Sequence, residues 1–245
     1  MTVLLPEADA TVLARRAEVV AVLRRLVSAD AVIDDVARMR PYESDALTAY
    51  RQLPLVVVLP ETTLQVAAVL RWCHENGVRV VPRGAGTSLS GGALPLGDAV
   101  LLVLSKFSRI LEIDIEDRLA VVQSGVANLA ISAAAEPHGL YYAPDPSSQI
   151  ACSIGGNVAE NSGGVHCLKY GLTTHNVLGV RLVTMEGEIV DLGGRAFDSS
   201  GLDLLGVVVG SEGLLGVVTE VTVRLLPKPE SVRALLIGFP TVDDA

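Results

Sequence analysis

The spacing of apolar and polar residues changes several times along the chain, and each change marks an element. Over residues 10–29 apolar side chains recur at helical spacing with arginines opposite them, which predicts one amphipathic helix. Residues 30–51 carry no such period and read as a polar connector. At 53–60 the run Leu-Pro-Leu-Val-Val-Val-Leu-Pro is apolar without alternation, the pattern of a buried strand, and prolines bracket it. Thr62 and Gln65 have the spacing of a reciprocal N-terminal cap, so a helix runs from there to about Glu75 and Gly77 stops it. A β-branched run at 78–82 is the next strand, which completes a strand–helix–strand unit.

The second half has a different period. Leu111, Ile113 and Ile115 alternate with Glu112, Asp114 and Glu116, which predicts a strand with one wet face. A polar turn at Asp117 and Arg118 leads into a returning arm at 119–123. A helix capped near Asn128 is ended by 137–139, and further strands are expected at 179–185, 188–192 and 217–226. Residues 231–239 read as a strand, and Thr241 then caps the first residues of a helix. The mixture of elements suits an α/β or α+β domain.

Composition narrows the function classes. The chain has 245 residues, half of them apolar, and a formal net charge of −9, so there is no basic stripe to neutralise nucleic-acid phosphates or anionic lipid. Apolar runs such as 54–60 and 99–105 have strand length, far below the roughly 20 residues of a membrane span. Glu7 and Asp9 come early and no basic start precedes an apolar core, which argues against a signal peptide. Cys73, Cys152 and Cys167 are odd in number and lack metal or redox spacing, which fits a reduced, cytoplasmic setting, with Cys73 as ordinary packing.

The most informative stretch is 81–92, Val-Pro-Arg-Gly-Ala-Gly-Thr-Ser-Leu-Ser-Gly-Gly. It follows a strand, and its glycines permit positive φ angles and close approach to a ligand. Consecutive N–H groups in such a turn form a concave anion nest, to which Thr87 and Ser88 add hydroxyl donors. The dinucleotide fingerprint fails because Leu89 stands at the third glycine position and no helix follows, and no Lys-Ser/Thr pair makes it a Walker loop. Taken alone, the segment reads equally as a surface turn or a nucleotide cradle. Two more glycine clusters change that balance. One runs from Pro144, Asp145, Ser147 and Ser148 into Gly155, Gly156, Asn157, Glu160, Asn161, Gly163 and Gly164; the other includes Glu212, Gly213, Gly216 and Val218. A ligand with two phosphates, a sugar chain and a flat ring needs close backbone approach at several separated points.

Together these segments resemble the FAD-binding domain of the vanillyl-alcohol oxidase or PCMH-type flavoproteins, closest to the glycolate oxidase large subunit and D-lactate dehydrogenase branch. The resemblance rests on Pro82, Arg83, Gly84, Ala85, Gly86, Thr87 and Ser88, on the second cluster through Lys169-Tyr170-Gly171, and on 210–219, in order from about Leu53 to Pro229. It implies a PCMH-type α+β domain of two subdomains with FAD between them at 51–229. An N-terminal helical segment at 1–50 precedes it, and 230–245 begins a truncated substrate or cap domain. It further implies that the first loop holds the FAD pyrophosphate. Asp145 and 155–164 line the ribityl chain and isoalloxazine, Gly163 to Tyr170 lies near the ring, and 212–218 meets the adenosine end. Some relatives attach flavin through a histidine near the position of Thr87, so Thr87 implies non-covalent FAD.

The activity so implied is oxidation of a 2-hydroxy acid, glycolate or D-lactate, with oxygen, a quinone, or an iron–sulfur or second flavoprotein subunit as the electron acceptor. The residues that bind the acid and take its proton are expected in the cap, and no general base is named. The same module serves alkyl-dihydroxyacetone-phosphate synthases, sugar oxidases and cell-wall precursor reductases, and a non-catalytic FAD-binding subunit or a fragment is the reading outside enzymes. Other chemistry finds less support. No G-x-S-x-G elbow occurs. Glu112, Asp114 and Glu116 suit an exposed strand face better than a metal, and His166, Cys167 and His175 have no recognised ligand spacing.

Overall fold

The computed structural model describes residues 5–196 and 201–245; the first four residues of the N-terminal stretch lie outside them. The apolar period at 10–29 does not produce one helix. It forms α1 (Ala10–Ala14) and α2 (Arg16–Leu26), interrupted at Arg15, which has a ψ of 6°. Arginine side chains explain the break. Arg15 reaches the Asn76 carbonyl at 3.2 Å, and Arg16 donates to the Leu55 carbonyl at 3.1 Å. Arg15 and Arg16 thus tie the helix pair to the layer behind it, while Arg24 and Arg25 stay on the solvent face.

The 30–51 stretch is also more than a connector. It holds β1 (Val32–Ile33) and α3 (Val36–Met39), whose Met39 is buried. β1 pairs antiparallel with β2 (Val56–Val58), which the apolar run between prolines produced as expected. Next comes α4 (Thr63–Glu75), entered through both bonds of the reciprocal cap: the Gln65 N–H donates to Thr62 Oγ1 at 3.2 Å, and the Thr62 N–H donates to Gln65 Oε1 at 3.3 Å. Gly77, at φ +65°, turns the chain into β3 (Arg79–Arg83), and β4 (Ala99–Val103) completes the sheet in the order β1-β2-β4-β3. β2 and β3 both run parallel to β4, which is buried at every position. Val56, Val58, Val100 and Leu102 face the core shared with α2 and α4, while Val57, Leu101 and Val103 face Ile33 and Met39. Apolar demand on both faces is why these strands show no alternation. Cys73 lies in that first core, where burial pushes its thiol up to about 12.

The rest of the described chain builds an antiparallel layer. It comprises β5 (Ile110–Asp114), β6 (Leu119–Gln123), α5 (Asn128–Ala135), β7 (Leu140–Tyr141), α6 (Ile154–Glu160), α7 (Cys167–Tyr170), β8 (Val177–Val183), β9 (Ile189–Gly193), α8 (Leu204–Val208), β10 (Val217–Arg224) and β11 (Leu226–Pro227). Five strands form one sheet in the order β5-β6-β10-β8-β9, and β11 pairs with β7. Ile131, Ile154, Val158, Val180, Val221 and Val223 fill the core beneath it. Val183 and Val217 reach instead into the core of the parallel layer, which joins the two subdomains.

Three expectations are corrected here. β5 does not alternate cleanly: a bulge falls between Ile110 and Glu112, and Leu111 and Ile115 stay exposed. Its carboxylates have a partner the sequence did not reveal. Arg195 donates to both Glu112 oxygens and to Asp114, which holds the Glu112 carboxyl below its ordinary range. Asn128 is not the cap of α5, whose N-cap is Ala127; it is buried, with its amide in a polar relay. Residues 231–239 form no strand. They are exposed and find no pairing partner among the described residues, and Thr241 accepts from the Asp244 N–H in a turn rather than a helix. In the other direction, α6 arises over a segment that sequence reading treated only as a glycine cluster. The Ser153 side chain caps it by accepting from the Gly156 N–H at 3.3 Å.

Candidate functional site

The three glycine clusters converge on one cleft of about 210 Å³ between the parallel and antiparallel layers. The loop after β3 forms one wall, α6 the second, and the turn before β10 the third. Of the residues singled out from sequence, Pro82, Arg83, Gly84, Ala85, Gly86, Thr87 and Ser88 line it from the first cluster. Ser148, Gly155, Gly156, Asn157 and Glu160 do so from the second, and Glu212, Gly213, Gly216 and Val218 from the third.

The loop after β3 is shaped as a donor nest. Gly86 sits at φ +69°, and its carbonyl is taken by the Ala46 N–H at 2.9 Å. Among the described residues no hydrogen bond is donated by the backbone N–H groups of Gly84, Ala85, Gly86, Thr87 or Ser88. Such a run of unspent donors at a cleft wall is suited to a phosphate or diphosphate. Arg83 is 6% exposed, and Nε and Nη2 both donate to the Ala93 carbonyl, the Nε bond at 3.1 Å. Burial pulls this guanidinium below its ordinary range, against the opposing pull of Asp45.

α6 is arranged differently. Its first N–H groups are all used: Ile154 donates to the Val126 carbonyl, Gly155 to the Ser124 carbonyl and Gly156 to Ser153 Oγ. The wall therefore offers surface rather than donors. A Cβ on Gly155 would lie 2.7 Å from Ser124 Cβ, and one on Gly84 would lie 2.2 Å from Ser153 Oγ, so glycine lets these segments close up. Asn157 Nδ2 donates to Asn128 Oδ1 at 2.9 Å, and Asn128 Nδ2 donates to the Pro144 carbonyl at 2.9 Å. This buried relay fixes α6 against the 144–148 turn. Glu160 accepts from Ser90 Oγ at 3.3 Å and bridges to the loop. The third cluster docks on the far end of α6, where the Gly210 and Glu212 N–H groups donate to the Val158 and Ala159 carbonyls at 2.8 Å, with Glu212 at φ +54°.

The remaining sequence-selected residues are not among those lining the cleft. Pro144 is buried, and Ser147 is exposed. Asp145 accepts from the His166 N–H and bonds His166 Nδ1 at 2.6 Å. A Cβ on Gly164 would strike Asp145 at 2.1 Å, one on Gly163 would meet Leu172, and one on Gly171 would meet the His175 ring. Asn161, at φ +51°, accepts from the Thr174 N–H. Tyr170 meets the edge of Tyr141 at 6.2 Å, and Lys169 Nζ lies 4.9 Å from the Tyr170 ring centre. His175 Nδ1 accepts from the Leu172 N–H, so Nδ1 of both histidines is engaged in loop structure.

Sequence reading missed Ser124 and Cys152, and it carried Ser153, Ser162 and Ser211 only as members of the glycine clusters; all five also line the cleft. Ser124 is the most telling. It is 1% exposed, and its Oγ has no partner among the described residues. Its signal was present: it follows directly on the apolar run at 119–123 and precedes a glycine. An orphaned buried hydroxyl, an unspent donor nest and glycine-thinned walls together fit a ligand that is both charged and extended, as a flavin dinucleotide is.

Comparison with known proteins agrees. Over 98% of its length the chain is 57% identical to glycolate oxidase subunit GlcD of Escherichia coli K12, covering 47% of that protein. It is 44% identical to glycolate oxidase subunit GlcD of Bacillus subtilis over 83% of its length, and 39% identical to a D-lactate dehydrogenase of Anaerostipes hadrus over 90%. The chain spans about half the length of the curated relatives it matches. A solved alkyldihydroxyacetonephosphate synthase, 22% identical, superposes with a TM-score of 0.77 over 94% of this chain and 43% of that one, a likeness of fold. The profile of the FAD binding domain matches residues 54–193, more than half of the chain and every wall of the cleft except the turn before β10, and the chain belongs to that family.

Proposed function

We propose that the chain is the FAD-binding part of a flavin-dependent oxidoreductase acting on a 2-hydroxy acid of the glycolate or D-lactate type. The observation that carries this reading is the convergence of three glycine clusters, far apart in sequence, on one cleft whose loop presents unspent N–H donors. In it the 84–88 loop holds the diphosphate, Ser124 and α6 border the ribityl chain and ring, and 212–218 borders the adenosine end. When bound, the flavin supplies a hydride acceptor for oxidation of the α-carbon; the chain's own part is to bind it, orient it and exclude water. Thr87 stands where some relatives carry the histidine that tethers the flavin, so attachment is non-covalent. No general base is assigned within these residues, and the chain binds FAD without oxidising the acid by itself.

The reading also holds 1–50 to be an N-terminal segment, 51–229 the FAD-binding domain and 230–245 the start of a substrate or cap domain. An iron–sulfur or second flavoprotein subunit accepts the electrons. A cytoplasmic location goes with it, and among the described residues no helix is long and apolar enough to cross a membrane. Absorption spectra of the purified chain before and after acid precipitation test the core of this. Flavin bands that pass into the supernatant are expected. Bands retained in the pellet would overturn non-covalent attachment, and a chain that takes up no FAD would overturn the reading itself.

A further inference from the structure

Four serine or threonine side chains are buried among the described residues: Ser124, Ser153, Thr173 and Thr219. The other three are engaged within the fold, unlike Ser124. Ser153 Oγ accepts from the Gly156 N–H at 3.3 Å, Thr173 Oγ1 donates to the Ser162 carbonyl at 2.7 Å, and Thr219 Oγ1 accepts from Thr63 Oγ1 at 3.2 Å. Ser124 Oγ has no partner among the described residues. The remaining buried side-chain oxygens in that condition, on Asp45, Asp98 and Tyr142, belong to residues outside the cleft lining, whereas Ser124 lines it. A buried hydroxyl without a hydrogen bond is destabilising, and folded proteins retain few of them.

The backbone of Ser124 is fully used. Its N–H donates to the Thr219 carbonyl at 3.0 Å, and its carbonyl accepts from the Gly155 N–H at 2.7 Å. These bonds hold the residue between β10 and the first turn of α6, directly after β6. A Cβ on Gly155 would begin 2.7 Å from Ser124 Cβ, and one on Gly125 would strike the Leu104 carbonyl. Leu104 and Gly155, brought near by these contacts, also line the cleft and carry no charge. The loop at 84–88 offers a run of donors suited to an anion; this part of the wall offers apolar surface and a single neutral hydroxyl. A hydroxyl in such surroundings suits an uncharged oxygen, which it can meet as donor or as acceptor.

We propose that Ser124 Oγ hydrogen-bonds the flavin half of the cofactor, through a ribityl hydroxyl or a ring carbonyl. The ligand then supplies the partner that the hydroxyl lacks within the chain. This rests on the reading that the cleft takes FAD. In that reading α6 borders the ribityl chain and ring, and Ser124 is joined to α6 through Gly155, which is why the flavin half and not the adenosine half is its partner. The two ends of the cleft thus recognise different chemistry: backbone N–H groups meet charge, and a buried side-chain hydroxyl meets a neutral oxygen.

The test is titration of the full chain with FAD, and with ADP as a competitor for the nucleotide half, for wild type and Ser124→Ala. Wild-type binding comes first; its absence sinks the functional reading and this inference with it. If wild type binds, Ser124→Ala is expected to weaken FAD about fivefold, the worth of one neutral hydrogen bond, and to leave competition by ADP unchanged. The thermal midpoint of the apo chain should stay the same or rise, because the variant deletes a buried hydroxyl that has nothing to bond. Weaker FAD without loss of apo stability is a combination that a merely structural serine does not give. FAD affinity within about 1.5-fold of wild type would overturn the proposal and leave the functional reading in place. A matching loss for ADP would put the partner in the nucleotide half and overturn it too. A lowered apo midpoint would show that the hydroxyl is satisfied within the fold, by protein or by a buried water, and would overturn it equally.

Discussion

Two glycine-rich segments face each other across the cleft, and glycine does opposite work in them. In the loop at 84–92 it gives the backbone a positive φ at Gly86 and Gly91 and leaves consecutive N–H groups free. In α6 at 154–160 the φ angles are helical, the N–H groups are consumed by Ser124, Val126 and Ser153, and glycine serves only to let another backbone come close. The first segment keeps its donors free, and the second spends them on the fold. A Gly-Gly pair at a helix start is easily taken for a phosphate site, but α6 has no donors left to give.

Substitution separates the two roles. The largest effect is expected at Gly155→Ala, whose Cβ would lie 2.7 Å from Ser124 Cβ and 3.0 Å from its carbonyl oxygen. With backbone on the other side, overpacking there should cost about 3 kcal/mol in denaturant unfolding, and FAD affinity should fall in parallel. A Gly155→Ala chain of wild-type stability would break the distinction outright. Gly84→Ala comes next, because its obstacle is a single side-chain atom, Ser153 Oγ at 2.2 Å, with Ser153 Cβ at an ordinary 3.5 Å. It should cost about 2 kcal/mol, and Ser153→Ala should relieve most of that strain in the double variant even though that change alone removes the cap of α6. Strictly additive losses would show that the collision is not the cause.

The smallest change in stability belongs to Gly86→Ala. Its nearest neighbour would be Arg83 at 3.7 Å, so only the φ of +69° opposes it, for about 1 kcal/mol. FAD titration should nonetheless show weaker binding, since relaxing that angle turns the loop donors away from the cleft. Unaltered FAD affinity alongside lowered stability would place Gly86 with α6, among the glycines that serve the fold.

Much of the local structure was legible in sequence. The reciprocal cap at Thr62 and Gln65, the unalternating apolar strand at 56–58 and the turn at Gly77 each depend on residues a few positions apart. The expected single helix at 10–29 failed because Arg15 and Arg16 bind carbonyls at Asn76 and Leu55, partners that no periodicity reveals. The carboxylates of β5 could be recognised as lying on a strand, but not as the partners of Arg195, more than 80 residues away. The strand expected at 231–239 failed for a related reason: a strand pattern states a preference, and only a neighbouring strand can satisfy it.

For the site, sequence alone determined the chemistry on offer: glycines, small hydroxyls and amides in three clusters, in an order that marks a flavin-binding family. Short-range stereochemistry and motif order suffice for that. Only the tertiary structure decided which of those residues line the cleft. It brought Ser124 and Ser153 into the wall, joined Asp145 to His166, and seated the Ala46 N–H on the Gly86 carbonyl. The physical reason is that burial and charge neutralisation are properties of neighbours in space. The backbone of α6 exhausts its donors on residues 124 and 126, and the loop after β3 keeps its own, because of where the sheets put them.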